Sequence, residues 1–141
     1  MSAAWMFTQT QLERFLTAWF GAESGNSFSC HLFQNDYVPV DDTVLGDLTE
    51  SDFSGYSAAI FDPADFDFPT WSPYVAQILL NHYVTYTASS SLSSPQIAYG
   101  YYVLNGDDEL VWVERWDTPF EFDASSVLNM KPALRQKTCR S

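Results

Sequence analysis

Apolar and polar positions alternate along residues 97–116, IAYGYYVLNGDDELVWVERW, and that alternation predicts a β-hairpin. Ile97, Tyr99, Tyr101 and Val103 fall on one face, and Ala98, Gly100, Tyr102 and Leu104 on the other. Asn105-Gly106 is the strongest short hairpin signal in the chain, because both residue types tolerate positive φ. On the return strand Leu110, Trp112 and Trp116 share a face interrupted by Glu114, opposite Val111, Val113 and Arg115. A strand pair apolar on both faces is expected at the centre of the fold, with cover on each side.

Upstream, residues 10–20 switch to helical spacing. Thr10 and Glu13 make a capping-box pair, and Leu12, Phe15, Leu16, Trp19 and Phe20 form one apolar stripe ending at Gly21. Ten residues carrying so bulky a stripe need a surface to dock on. Residues 28–33 alternate again, with Phe28, Cys30 and Leu32 opposite Ser29, His31 and Phe33. An irregular loop is expected over 41–48. Thr49-Glu50-Ser51-Asp52 offers a second cap pattern, predicting one helical turn closed by Gly55, and Tyr56, Ala58 and Ile60 mark a short strand. Pro63, Pro69 and Pro73 restrict 62–73 to a loop or a sheet edge. Residues 74–80 and 83–87 read as strands with a turn at Asn81-His82, and 88–96 as a Ser-rich connection. Thr118-Pro119 is expected to end the hairpin. Phe120 and Phe122 begin another strand, and a last one over 127–131 is placed at an edge by Pro132.

About seven or eight short strands with one helix near the start predict a mainly β fold. The expected architecture is an antiparallel β-sandwich or jelly-roll-like barrel. Its division is 1–27 for helix and linker, 28–134 for the β-domain and 135–141 for a basic tail.

Composition narrows the partners. Of 141 residues, 46% are hydrophobic and 17% aromatic, which suits a packed β-core, while only 17% are charged, below the usual quarter. The net charge is −12; Lys131, Arg135, Lys137 and Arg140 put +4 on the last eleven residues, leaving −16 on the rest. Phosphate binding needs clustered Lys and Arg, so free nucleic acid is not an expected partner. The tail is either a solvated end or a dock for an acidic neighbour. No stretch has the 18 or so apolar residues of a membrane span, and no basic-then-apolar leader pattern opens the chain. Cys30 is expected as a buried thiol and Cys139 as a mobile one.

Reactive constellations are scarce. His31 and His82 read as structural or surface histidines, and the serines show no arrangement with a histidine and an acid. P-loop, GxGxxG, GxSxG and HExxH motifs are missing from the sequence. Asp41, Asp42, Asp47, Asp62, Asp65 and Asp67 lack EF-hand spacing and read as a solvated acidic face. No cofactor and no metal is expected, and the chain is read as a non-enzyme.

Three stretches resemble a widespread group of small structural proteins of tailed phages: HLFQNDYVPVDDTVLGDLTESDFSGY at 31–56, IAYGYYVLNGDDELVWVERWDTPFEF at 97–122 and VLNMKPALR at 127–135. Residues 62–83 match that group poorly, and the basic ending RQKTCRS replaces its usual β-prone tail. The resemblance implies a virion component assembled in the host cytoplasm, either a capsid cement or decoration protein or a tail or baseplate subunit. The implied partners are the major capsid protein or other virion subunits, and further copies of the chain in a dimer or trimer. The candidate contact residues are Phe15, Trp19, Tyr99, Tyr101, Trp112, Arg115, Trp116, Lys131 and Arg135. A carbohydrate-binding module or small hydrolase using Trp71, Trp112 or Trp116 with nearby acids is the alternative outside that group.

Overall fold

The computed structural model describes residues 27–40, 42–61, 66–72, 75–80 and 83–137, with side chains for 27–40, 42–61 and 83–132. The helix expected over 10–20, with Phe15 and Trp19, lies outside the described residues, as do the Asn81-His82 turn and Cys139. Among the described residues the chain is mainly β, every strand pairing is antiparallel, and helical structure is limited to a 3-10 turn at Leu45–Asp47.

The chain forms two compact units. One comprises Ser27–Phe61 and Val84–Met130; the other comprises Met1–Asn26, Asp62–Tyr83 and Lys131–Ser141. In the first, β1 (Phe28–Phe33), β2 (Ala59–Phe61), β6 (Gln96–Leu104) and β7 (Leu110–Phe122) make a sheet in the order β2-β1-β6-β7, and β5 (Val84–Thr87) pairs with β8 (Val127–Met130). In the second, β3 (Phe66–Ser72), β4 (Val75–Leu80) and β9 (Ala133–Lys137) are ordered β3-β4-β9. Pro69 sits on the outer strand β3 at a register break between Asp67 and Thr70, where a residue without an N–H costs the ladder least. Residues 135–137, read above as the start of a tail, belong to β9 and pair with β4.

Alternation drives β1. Phe28, Cys30 and Leu32 are fully buried, while Ser29 and His31 on the opposite face are half-buried. The expected centrality of the 97–116 hairpin holds for β6, which lies between β1 and β7, whereas β7 is an outer strand. Gly100 is what lets β6 run so close to its neighbours. A Cβ there would stand 2.8 Å from Arg115 Cα and from Phe33 Cε1, with the Glu114 carbonyl closer still.

β1 has a gap along its β2 side. Residues 28–30 pair with β2, and Phe33 bridges Glu50, with Ser51 N–H donating to Leu32 O and Gln34 N–H to Thr49 O. Between those partners two phenols complete the ladder. Tyr86 donates to Cys30 O at 2.7 Å, and Leu32 N–H donates to the Tyr56 hydroxyl at 3.1 Å. The two rings stack at 5.8 Å, and Phe53 packs on Tyr56 at 5.3 Å and on Phe122 at 4.3 Å. Thr49–Asp52 is therefore extended, correcting the predicted helical turn. Glu50 and Ser51 pair with Phe33 and Leu32 of β1, and Thr49 with Gln34 just beyond it, and that pairing outweighs so short a local preference.

Two further expectations are corrected. Asn105-Gly106 is not a two-residue turn: Asn105 N–H donates to Glu109 O, Asp108 N–H donates to Asn105 O, and the positive φ of 61° falls on Asp108. This three-residue loop is a type I turn closed by a left-handed residue. Asn105 acts through its side chain, Oδ1 accepting from the N–H groups of Asp107 (3.0 Å) and Glu109 (2.9 Å). Thr118-Pro119 does not end the hairpin either. β7 continues to Phe122, with a register break opposite Tyr99 that absorbs the proline and leaves Phe120 facing Ala98.

Candidate functional site

The unpredicted feature is a polar relay on the half-buried face of β1. Ser29 and His31 are two residues apart on one strand and so share a face. Glu50 reaches that face because the segment around it pairs with the end of β1. Ser29 Oγ lies 2.7 Å from His31 Nε2, and His31 Nδ1 lies 2.6 Å from Glu50 Oε2. A carboxylate only accepts, so His31 donates from Nδ1, leaving Nε2 to accept the Ser29 hydroxyl proton. Tyr56 donates to the same Glu50 oxygen at 2.7 Å, and the imidazole lies flat on Tyr102 at 5.0 Å and 10°.

Electrostatics keeps the two phenols beside this relay protonated. Burial, then the hydrogen bond to Glu50, raises the Tyr56 phenol well above its ordinary range, so it remains a donor. Burial, then the charge of Glu50, does the same for Tyr102. The site is reachable: the His31 side chain is 13% exposed and that of Glu50 41%. In chemical terms the order is hydroxyl, imidazole, carboxylate, the order in which a base withdraws a proton from a nucleophile.

A second feature is an aliphatic loop between β1 and Leu48. Val38, Val40, Val44 and Leu45 are 36–65% exposed. Their backbone is held firmly. Asn35 Nδ2 donates to Asp47 O at 2.9 Å while Thr49 N–H donates to Asn35 Oδ1 at 2.8 Å. Asp47 Oδ2 accepts from Val44 N–H (3.0 Å) and from the Tyr37 hydroxyl (3.3 Å). Val40 N–H donates to Thr43 Oγ1 at 2.8 Å. Asp36, Asp42 and Asp47 are exposed on the same segment.

The predicted contact residues separate into groups. Arg115 bonds Asp36 Oδ1, donates to Tyr37 O at 3.2 Å and lies 5.1 Å over the Tyr99 ring, tying the loop to β7. Tyr99 packs on the cluster of Phe33, Leu48, Tyr102 and Leu104. Tyr101 is 2% exposed; it accepts from Trp112 Nε1 at 3.2 Å and packs on Trp116 at 6.4 Å. Tyr99 and Tyr101, expected to share a face, thus go to different clusters, beside the register break opposite Tyr99. In the other unit Lys131 lies 5.1 Å over the exposed Tyr83 ring, and Arg135 stands opposite Gln77.

Sequence reasoning missed the relay and the aliphatic loop. The Ser29-x-His31 spacing was visible, but Glu50 joins only through strand pairing. Val44 and Leu45 fall in the expected irregular loop over 41–48, and Val38 and Val40 in no expected element. No family model, curated protein or solved structure matches the chain.

Proposed function

We propose that this chain is a structural protein of a tailed-phage virion, a capsid cement or decoration protein that binds the major capsid protein and stabilises the head shell. One observation carries the proposal: four aliphatic side chains stand exposed on a loop whose backbone is fixed by side-chain hydrogen bonds. A rigid apolar patch binds without paying to order itself, which is what a permanent contact needs. The exposed acids of the same segment and the −16 body call for a partner with an apolar recess edged by Lys or Arg. The resemblance of residues 31–56, 97–122 and 127–135 to small phage structural proteins supports the same reading. We read the first unit as an antiparallel sandwich, its four-stranded sheet covered by the β5–β8 pair through the Tyr86–Cys30 hydrogen bond. A closed dimer or trimer on the shell suits such a part, and this role calls on no catalysis, cofactor, nucleic acid or membrane.

Quantitative mass spectrometry of purified particles tests the proposal. A copy number of one hundred or more per particle, on the order expected of a shell contact, supports the capsid role; tens or fewer points to a tail or baseplate subunit instead. Absence from particles overturns the virion reading.

A further inference from the structure

The geometry points to Ser29 as an activated nucleophile, able to take an acyl group from an activated carboxylic ester. This goes beyond the proposed binding role and does not depend on it. Three observations carry it. The hydrogen bonds run from Ser29 Oγ to His31 Nε2 and from His31 Nδ1 to Glu50 Oε2, at 2.7 and 2.6 Å. Every member is held from a second direction: His31 by the Tyr102 stack, Glu50 by the Tyr56 hydroxyl and the Phe33 bridge, Ser29 by a strand paired on both sides. The group to be attacked has room, because Ser29 is half-buried and its β2 neighbour is Ile60, 67% exposed. A polar network serving stability alone needs neither the relay order nor access at the serine.

The step balances with water as the only co-reactant. Ser29 Oγ attacks the ester carbonyl carbon and its proton passes to His31 Nε2. The bond to the leaving alcohol breaks, and that alcohol takes the proton from His31. Water then attacks the acyl group on Ser29, giving its proton to His31, and the Ser29–acyl bond breaks as His31 returns the proton to Oγ. The products are a carboxylic acid and an alcohol. Glu50 and Tyr56 are positioning residues: they hold the imidazole with Nε2 toward Ser29. The cross-strand neighbours Ile60 and Leu104 bring aliphatic side chains, so the acyl group is apolar. They supply no donors for a developing oxyanion, and such donors are worth about 10²–10³ in rate. The substrate class is therefore esters with good leaving groups, not amides.

The test uses the full chain, a fluorophosphonate probe and p-nitrophenyl acetate, with peptide mapping of the modified residue. We expect Ser29 to be labelled about 100-fold faster than the exposed Ser94, in line with general-base assistance. We expect Ser29→Ala to lose both labelling and acetate release. Glu50→Gln, which keeps an acceptor for Tyr56, should slow labelling at least tenfold while circular dichroism stays unchanged. Labelling of Ser29 no faster than Ser94 in the folded wild-type chain overturns the inference, as does a rate insensitive to Glu50→Gln.

Discussion

Tyr86→Phe removes one oxygen atom from the interior and should cost more than its size suggests. The hydroxyl donates to Cys30 O at 2.7 Å, at a position 2% exposed, where the run of β1 that pairs with β2 ends ahead of the Glu50 bridge. Without it the buried Cys30 carbonyl loses a donor, a cost of about 1–3 kcal/mol. That is a sizeable part of the 5–15 kcal/mol typical of a folded domain, and about 3 °C of Tm per kcal/mol at this length. Tyr56→Phe should lose about 1–2 kcal/mol, since Leu32 N–H and Glu50 both give up a partner. Because the two rings stack, the double variant should depart from additivity by about 0.5 kcal/mol or more. Tyr83→Phe, on a ring 63% exposed, should stay within about 0.5 kcal/mol of wild type. Urea unfolding measures all four. Thiol labelling in a Cys139→Ser background gives a second reading, since Cys30 is buried and should react only when β1 opens. A Tyr86→Phe variant as stable as wild type, with Cys30 equally protected, would refute the idea that phenols complete the β1 ladder.

Gly100→Ala should destabilise by about 2–3 kcal/mol in urea unfolding, because the added methyl meets backbone of β7 that cannot swing aside. Asn105→Ala should lose about 1–2 kcal/mol through the two N–H groups it caps, whereas Asp108→Gly should be neutral or gain about 0.5 kcal/mol by relieving a φ of 61°; the reverse ranking would contradict the three-residue turn. Burial pushes the Cys30 thiol from 9.0 up to about 12, and also raises Tyr56, Tyr86 and Tyr102. These groups ionise more readily unfolded than folded, so their contribution is complete below pH 9 and falls as pH rises toward 12. The Cys30 slope approaches 1.4 kcal/mol per pH unit, roughly, and Cys30→Ala should flatten it in unfolding scans from pH 8 to 10.5.

Much of the strand content was legible because alternation and burial are the same fact on β5, on most of β1 and at the start of β6, where Phe28, Cys30, Tyr86 and Ala98 turn inward. Turn chemistry was read through the wrong property. Asn105 reads as a residue that tolerates positive φ, but its work is done by the side-chain amide, and Asp108 takes the unusual backbone angle. Pro119 reads as a terminator because it lacks an N–H, yet a register break gives it a place where none is needed. Glu50 shows the remaining limit. Its local context suggested a helix start, and its role in the relay follows from pairing with a strand seventeen residues away at Phe33. Neither period nor spacing along the chain carries that information.

The central claim is that the rigid aliphatic loop is the face that grips the virion. The direct measurement is co-sedimentation of the purified chain with shells lacking it, comparing wild type with Val40→Asp/Val44→Asp. Each valine stands to bury about 1–2 kcal/mol of remaining apolar surface, and a buried unpaired carboxylate adds further cost. The account predicts binding weakened at least about 100-fold with the fold unchanged. Equal binding by both proteins would contradict it.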